Sequence, residues 1–236
     1  MIKYVLSDIG EVYLIGMKGV EDKIAPVIGV TPSESWDQLI TEPMREMFRG
    51  RETEERYLQA VADQCGYPAE VSPETVRVIY DGELAKFNAA LDSLGVSHNG
   101  ALPIVTYLQA AMRANFEPVP GMDQLYQEVT CPLGLLSDHS KEWVEDSKSR
   151  FPIDERFNDQ FWSYELGIRK RDVQGFATIL PTIENAVGVS RNEMLFTDDN
   201  PILCASAAAA GVGYVHQFRD AATLREALVE LGVLKE

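Results

Sequence analysis

The sequence predicts an α/β fold: a doubly wound parallel sheet of the Rossmann-like kind, into which a helical segment is inserted. Three observations support this prediction. Short apolar runs alternate with helical patterns, the runs are continuously apolar as in strands buried on both faces, and one long stretch holds helical patterns almost alone. A chain of 236 residues is long enough for a medium-sized domain that carries a smaller insertion.

Four apolar runs of strand length predict the strands of the sheet, at residues 4–6, 133–136, 194–196 and 213–215. Helical patterns accompany them at residues 122–128, 141–149, 172–186 and 205–210. Alternation of strands and helices is typical of a parallel sheet covered by helices on both faces. Pro181 lies inside one of these helical patterns and predicts that the helix kinks or divides there.

The stretch from residue 16 to residue 115 has a different character. Helical patterns dominate it, at residues 20–28, 33–48, 53–65, 73–94 and 103–112. The cluster Pro118-Val119-Pro120-Gly121 marks the return of the chain to the α/β part. We therefore predict an α/β core domain made of residues 1–15 and 116–236, and an inserted helical domain of residues 16–115.

Composition and charge restrict the partners and the compartment. The net charge of −16 argues against a nucleic acid or an anionic membrane as partner. No apolar run approaches the ~20 residues of a membrane span, and the N-terminus lacks the pattern of a signal peptide. The three cysteines form no CxxC pair, so neither a zinc site nor a disulfide framework is expected and a reducing cytoplasm is the expected location. The histidines show no metal-ligand spacing: His98, His139 and His216.

Polar residues follow three of the predicted strands. Asp8, Ser137 and the pair Asp198-Asp199 each come where an apolar run ends, and Lys170 precedes a helix between the second and third of them. Each residue alone has an ordinary explanation, as a turn residue, a helix cap or a surface lysine. In open α/β sheets, however, ligands bind beyond the carboxyl ends of the strands. The sequence therefore predicts that these side chains converge on one site.

The same residues lie in four short motifs that resemble those of the haloacid dehalogenase (HAD) superfamily. Residues 163–170 match the Ser-x-Glu-x-Gly-x-x-Lys pattern that is usual there, and Ser137 and Asp198-Asp199 have counterparts as well. Residues 8–12, Asp-Ile-Gly-Glu-Val, are similar to the form of the branch that contains α-D-glucose-1-phosphatase. The helical insertion is similar to the C1-type cap of the superfamily.

This resemblance implies hydrolysis of a small phosphorylated metabolite with Mg²⁺ as cofactor. Asp8 is then the covalent nucleophile, which forms an aspartyl-phosphate. Ser137 and Lys170 are its catalytic partners and bind the phosphoryl group together with Asp138. The metal ligands implied are four: the carboxylates of Asp8, Asp198 and Asp199 and the backbone carbonyl of Gly10. A closing cap favours a small substrate, since it excludes polymers and bulk water.

Several positions depart from the family pattern. Gly10 stands where many members carry a second aspartate as general acid, and Glu11 beside it is unusual. Asp138 puts a carboxylate next to the phosphate-binding Ser137, which repels a phosphoryl group unless the charge is paired. Leu203 stands where a polar residue often supports the metal, and together with Gly10 and Asp138 it keeps open a catalytically weak or silent binding protein on the same fold. Carbon–halogen hydrolysis with Asp8 attacking carbon is a second alternative. The sequence gives neither the substrate nor the oligomeric state.

Overall fold

The computed structural model describes residues 1–97 and 99–234; His98 lies outside the described residues. The chain divides into two compact units. The first consists of Met1–Ile15, Pro118–His139 and Ser147–Glu236, and the second of Gly16–Glu117 and Ser140–Asp146. The functional division inferred from the sequence, into a core and a cap, concerns how the parts work and stays a prediction.

The described elements follow one another in the chain with these bounds. The strands are β1 (Tyr4–Ser7), β2 (Leu14–Ile15), β3 (Glu70–Val71), β4 (Leu102–Pro103), β5 (Glu117–Pro118), β6 (Leu133–Ser137), β7 (Asp159–Trp162), β8 (Met194–Asp198) and β9 (Tyr214–Gln217). The helices are α1 (Val20–Ile28), α2 (Pro32–Leu39), α3 (Glu42–Phe48), α4 (Glu54–Cys65), α5 (Pro73–Ile79), α6 (Leu84–Ser93), α7 (Ile104–Asn115), α8 (Met122–Gln127), α9 (Lys141–Arg150), α10 (Ile153–Arg156), α11 (Ser163–Leu166), α12 (Gly175–Val187), α13 (Pro201–Ala209) and α14 (Ala221–Glu230). A 3₁₀ turn spans Arg191–Glu193.

The first unit contains, within the described residues, a five-stranded sheet in the order β7-β6-β1-β8-β9, with every neighbouring pair parallel. From the central β1 the chain first extends the sheet on one side and then crosses to the other. This arrangement confirms the predicted doubly wound parallel sheet. The direction of winding reverses between β1 and β8, and ligands of such folds bind beyond the strand ends at that point.

The strands of the five-stranded sheet form where the apolar runs predicted them, with one omission, whereas the two-residue strands β2 to β5 were not predicted. Every residue of β1, β6 and β8 is buried, as expected of strands covered on both faces. The sequence analysis missed β7, whose residues Asp-Gln-Phe-Trp make no continuous apolar run. β7 lies at an edge of the sheet and most of it is only half-buried, so it carries a weaker hydrophobic signal.

A glycine in β6 permits a polar contact across the sheet. A Cβ atom at Gly134 would overlap the Tyr4 ring, at 2.6 Å from Cζ. The ring therefore crosses β6 at this residue, and its hydroxyl donates to Asp159 Oδ2 of the edge strand at 2.9 Å. Since real Cβ atoms do not approach a ring so closely, glycine is needed here for packing.

The second unit is helical, as predicted, but two predicted helices are each divided. Residues 33–48 form α2 and α3, since a new helix begins at Glu42 with Pro43 in its first turn. Residues 73–94 form α5 and α6, because Gly82 between them has a φ of 78°, which ends a right-handed helix. In the first unit, by contrast, α12 continues through Pro181 without dividing.

A buried ion pair links helices of the second unit. The two terminal guanidinium nitrogens of Arg113 in α7 donate to the Glu54 carboxylate of α4, at 2.7 and 2.8 Å. The Trp143 indole N–H donates to the same carboxylate at 2.5 Å, and Gln109 donates at 3.2 Å. The side chains of Glu54 and Arg113 are 1% and 5% exposed. Their charges are therefore satisfied by each other and by neutral donors rather than by water.

No described helix combines the length and the apolar character needed to cross a membrane.

Candidate active site

Asp8 lies directly after β1, at the reversal point of the sheet. Its backbone N–H donates to the Thr197 carbonyl of β8 at 2.9 Å, which extends the pairing of the two strands by one residue. The Ile9 N–H donates to Asp8 Oδ1 at 2.8 Å. Beneath it, the Ser7 hydroxyl donates to the Asp8 carbonyl at 2.6 Å and is hydrogen bonded to Tyr126. The residue is 8% exposed, so its carboxylate is held in place and barely reaches solvent.

Lys170 brings a buried positive charge to this carboxylate. Its Nζ lies 2.9 Å from Asp8 Oδ1 and 2.7 Å from Asp198 Oδ2, and its side chain is 1% exposed. Burial lowers the pKa of Lys170, but the charges of Asp198, Asp8 and Asp138 raise it more, so the pKa ends above its usual value. The lysine is therefore cationic and compensates part of the negative charge around it.

The loop that carries Lys170 depends on a close backbone approach. A Cβ atom at Gly175, the first residue of α12, would lie 2.5 Å from the Lys170 carbonyl oxygen. Arg169 shapes the same loop, because its backbone N–H and its guanidinium both donate to the Asp172 carboxylate, at 3.0 and 2.7 Å. Glycine at position 175 thus allows the helix to begin against the lysine loop.

Three carboxylates crowd together beside the lysine. Asp8, Asp198 and Asp199 each offer a carboxylate oxygen, and these atoms all lie within 4.8 Å of one another. Asp198 is fully buried; its Oδ1 accepts the Asn200 N–H at 2.9 Å, whereas Asp199 is more exposed. One ammonium group faces three acids here, which is a large excess of negative charge for a buried site.

Burial and the close approach of the three carboxylates shift their pKa values. Burial and the Asp8 charge raise the pKa of Asp198 to about 7 against the opposing effect of Lys170. The pKa of Asp199 is raised by the same two causes. Burial also raises the pKa of Asp8, but Lys170 and the hydrogen bonds from Ser137 and Ile9 outweigh it, so this pKa is lowered. A divalent cation would relieve the repulsion, and oxygen donors of this kind are what Mg²⁺ prefers, so the residues fit the expected metal.

The end of β6 supplies the other predicted phosphate-binding residues. Ser137 is buried and its hydroxyl is hydrogen bonded to the Asp8 carboxylate. Asp138 follows it, and its Oδ1 accepts the Lys170 backbone N–H at 2.8 Å. Next in the chain, the His139 N–H donates to Ser163 Oγ at 3.0 Å. Burial lowers the pKa of His139 to about 4, so its imidazole is neutral at physiological pH.

The structure thus brings the side chains of Asp8, Ser137, Lys170, Asp198 and Asp199 to one place. Asp138 joins them through the backbone of the lysine. Gly10 lies two residues beyond the nucleophile in an isolated bridge with Leu14, and the use of its carbonyl as a metal ligand stays a prediction. The catalytic and binding roles of all seven residues likewise stay predictions.

Sequence reasoning missed three residues that hold the site. Ser7 supports the Asp8 backbone, and Gly175 admits the lysine loop. Asn200 donates to Asp198, and its side chain caps α13 by accepting the N–H groups of residues 202 and 203. An Asn-Pro pair before a helical pattern is a recognisable helix start, so Asn200 had a signal. Ser7 and Gly175 had none, because their roles depend on contacts between distant segments.

No protein-family model matches the sequence, and no curated protein is similar to it in sequence. Solved structures do resemble the fold. A HAD-family enzyme from Bacteroides thetaiotaomicron, solved with magnesium and inorganic phosphate, matches with a TM-score of 0.62 at 18% identity, over 93% of this chain and 96% of its own. A predicted HAD-like hydrolase from Porphyromonas gingivalis matches with a TM-score of 0.58 at 18% identity over all of both chains. A dehalogenase with an intermediate complex gives 0.52 at 13% identity, over 92% of this chain and 85% of its own.

The chain therefore has the fold of the HAD family, and the resemblance predicted from its motifs is confirmed at the level of the fold. The topology agrees, since the five parallel strands carry Asp8 and the acidic pair at adjacent strand ends. The placement in the α-D-glucose-1-phosphatase branch stays a prediction.

Proposed function

We propose that this protein is a magnesium-dependent phosphohydrolase that acts on a small phosphorylated metabolite through a covalent intermediate on Asp8. The observation that carries the proposal is the arrangement of a buried nucleophile, Asp8, with the Lys170 ammonium at 2.9 Å and two further carboxylates close by. Support also comes from the similar enzyme that was solved with magnesium and inorganic phosphate. Ionised carboxylates repel a phosphate group, so the proposal requires a cation at the acidic cluster to offset their charge.

In the first step an Asp8 carboxylate oxygen attacks phosphorus, the bond from phosphorus to the ester oxygen breaks, and the alcohol leaves with a proton from water. Lys170 and the Ile9 N–H orient the carboxylate, since both donate to its Oδ1. The Ser137 hydroxyl, which is bonded to Asp8 in the free protein, then turns to a phosphoryl oxygen. Positioned donors of this kind stabilise the charge that develops in the transition state.

In the second step water attacks phosphorus, the bond to Asp8 breaks, and inorganic phosphate leaves with the free aspartate restored. The sum is one ester and one water converted to one alcohol and one phosphate. Asp8, Asp199, Asp198 and the Gly10 carbonyl would hold Mg²⁺, which would neutralise the negative charge of the site. Asp199 is the more available of the acidic pair, because Asp198 is engaged by Lys170 and Asn200.

The test is turnover of a panel of phosphate esters by the wild-type protein and by Asp8→Asn, with Mg²⁺ and with a chelator. We expect release of inorganic phosphate that needs Mg²⁺ and that falls by at least about 10³-fold in the variant, because the amide is no nucleophile. Asp159→Asn, a change at an edge-strand acid outside the cluster, is the matched control. Equal rates for wild type and Asp8→Asn would eliminate the proposal.

Carbon–halogen hydrolysis is the second candidate, because a dehalogenase is among the similar structures. The acidic cluster favours the phosphohydrolase, since attack on carbon needs no metal site. Release of halide from 2-haloacids in the presence of chelator would favour the dehalogenase instead. Binding of Mg²⁺ and phosphate without turnover of any ester would favour a silent binding protein.

The remaining expectations from the sequence belong to this proposal. We propose that residues 16–115 act as a cap that restricts the substrate to small molecules, that neither nucleic acid nor a membrane is a partner, and that the protein acts in the cytoplasm. The negative net charge supports the second point, since it disfavours anionic polymers.

A further inference from the structure

Asp138 has one carboxylate oxygen without a partner. Oδ1 accepts the Lys170 backbone N–H at 2.8 Å, whereas Oδ2 is buried and has no hydrogen bond within residues 1–97 and 99–234. Buried polar atoms are almost always satisfied, so a lone one calls for an explanation such as a missing ligand. Asp138 directly follows Ser137, whose hydroxyl is bonded to the nucleophile Asp8. The lone oxygen therefore belongs to the residue next to the one that contacts the nucleophile.

Burial of Asp138 outweighs the positive charges near it. The ammonium group of Lys170 forms ion pairs with Asp8 and Asp198 rather than with Asp138, and the guanidinium of Arg169 donates to Asp172. Burial raises the pKa of Asp138 and the Asp8 charge adds to it; Lys170 and Arg169 oppose both, but the pKa still ends above its usual value. A neutral carboxylic acid has an O–H to donate, whereas a carboxylate can only accept.

We propose that Asp138 binds the phosphoryl group of the substrate as a neutral acid, with Oδ1 held by the Lys170 N–H and the Oδ2 hydroxyl donating to a phosphoryl oxygen. This inference rests on the proposed function. It removes the conflict that the sequence raises, because a neutral acid next to Ser137 attracts an anion that a carboxylate would repel. An acid in this state resembles an asparagine amide, which also accepts with one atom and donates with the other.

A neutral Asp138 makes phosphate binding depend on pH. As the pH rises through the pKa of Asp138 the donor is lost and a negative charge appears, so binding of a phosphoryl group weakens by about tenfold per pH unit above that pKa. Asn at this position keeps its donor at every pH. The substrate and the other site residues titrate alike in both proteins, so the ratio of the two activities isolates Asp138.

The test compares wild type with Asp138→Asn from about pH 5 to about pH 9, by kcat/KM for p-nitrophenyl phosphate with Mg²⁺ and by calorimetric affinity for inorganic phosphate. We expect the ratio of Asp138→Asn to wild type to rise at least tenfold across this range in both measurements. A ratio that stays constant or falls would overturn the inference, and so would a wild type that binds no phosphate at any pH.

Two further measurements keep the outcome clear. Carbon-13 NMR of labelled aspartate in the wild type, assigned with the variant, should show Asp138 titrating above the normal range even if Asp138→Asn folds poorly; a normal titration would contradict the inference. Asp138→Ala should lower the affinity for phosphate below the pKa of Asp138, because it removes the donor, and should raise it above that pKa, because it removes a repelling charge. If phosphate binding depends on Asp138 as described but Asp8→Asn does not change turnover, the inference stands and the proposed function fails.

Discussion

At the scale of single residues, Lys170 decides the electrostatics of the acidic cluster. Its ammonium contacts Asp8 and Asp198 at once, so it holds the nucleophile ionised while the neighbouring Asp198 keeps a raised pKa of about 7. Because a buried lysine can move only with its loop, its position depends on the backbone that carries it. Residues that never touch the substrate therefore control the geometry of the site.

Gly175→Ala tests that dependence. The added Cβ would lie 2.5 Å from the Lys170 carbonyl, so α12 or the lysine loop must shift. We expect a loss of about 1–3 kcal/mol in the free energy of unfolding, as for other overpacked sites, and a clear drop in kcat. Denaturant unfolding and turnover measure the two effects. Gly100→Ala, where a Cβ meets nothing within 4 Å, is the control; equal effects of the two substitutions would contradict this explanation.

Gly10→Asp tests the position where many superfamily members carry a general acid. A Cβ at Gly10 meets nothing within 4 Å and its φ is not positive, so neither space nor backbone requires glycine there. If the added carboxyl reaches the leaving group, we expect kcat for alkyl phosphates to rise by about 10²-fold, the lower end for general acid catalysis. Gly10→Asn, which cannot transfer a proton, should show no such rise. An equal gain in both variants would point to a different cause.

The chain next to the nucleophile carries one unusual backbone conformation. Glu11 has a φ of 59°, the left-handed region that favours glycine, and its N–H donates to the Leu14 carbonyl at 2.7 Å. The sequence analysis noted Glu11 as unusual but had no means to foresee this turn. Its strained backbone lies in a tight loop, three residues after Asp8 and one after Gly10, and fixes the conformation of the chain beside the nucleophile.

At the scale of helices and strands, the sequence predicted what depends on local pattern. Continuous apolar runs located β1, β6 and β8, and the polar residue after each run was found at the shared edge of the sheet. The half-buried edge strand β7 was not predicted, since its residues make no continuous apolar run. The contact of the Asp138 side chain could not be predicted either, because the N–H that donates to Oδ1 belongs to Lys170, 32 residues away in the sequence.

The ion pair between α4 and α7 gives a test of the helical unit. Arg113→Met leaves the Glu54 carboxylate buried without its partner, so we expect a loss of about 3–5 kcal/mol in the free energy of unfolding. The double variant Glu54→Gln with Arg113→Met should recover part of it, because position 54 then carries no charge, whereas the buried Asp146 carboxylate still loses the Arg113 charge 3.7 Å away. Urea unfolding measures both proteins. Arg45→Ala, which breaks an exposed pair with Glu42, should cost under about 1 kcal/mol, and a similar cost for Arg113→Met would refute the expectation.

At the scale of the whole molecule, metal binding and folding are linked. In the metal-free protein the pKa of Asp198 is about 7, while the unfolded chain has the ordinary value of 3.8. The folded state therefore binds the extra proton between these values, and stability from this group is full below pH 3.8 and is lost as the pH rises through about 7. A cation replaces that proton.

We therefore expect Mg²⁺ to raise the melting temperature more at pH 8 than at pH 5. At a hundredfold excess over Kd the gain is about 2.7 kcal/mol, which corresponds to several degrees for a chain of this size. Differential scanning fluorimetry with and without Mg²⁺ measures it. Asp199→Asn, which removes one acid of the cluster, should reduce the shift at both pH values; a shift that is independent of pH and of Asp199 would contradict the linkage.

The most direct measurement of the central claim is chemical trapping of the intermediate. The protein is mixed with Mg²⁺ and a phosphate ester that it hydrolyses, and the reaction is quenched in acid. Reduction with borohydride then converts an aspartyl-phosphate to homoserine. We expect peptide mass spectrometry to find homoserine at position 8 in the wild type and none in Asp8→Asn. Turnover that proceeds with no modification at Asp8, or with a modification at another residue, would contradict the covalent role of Asp8.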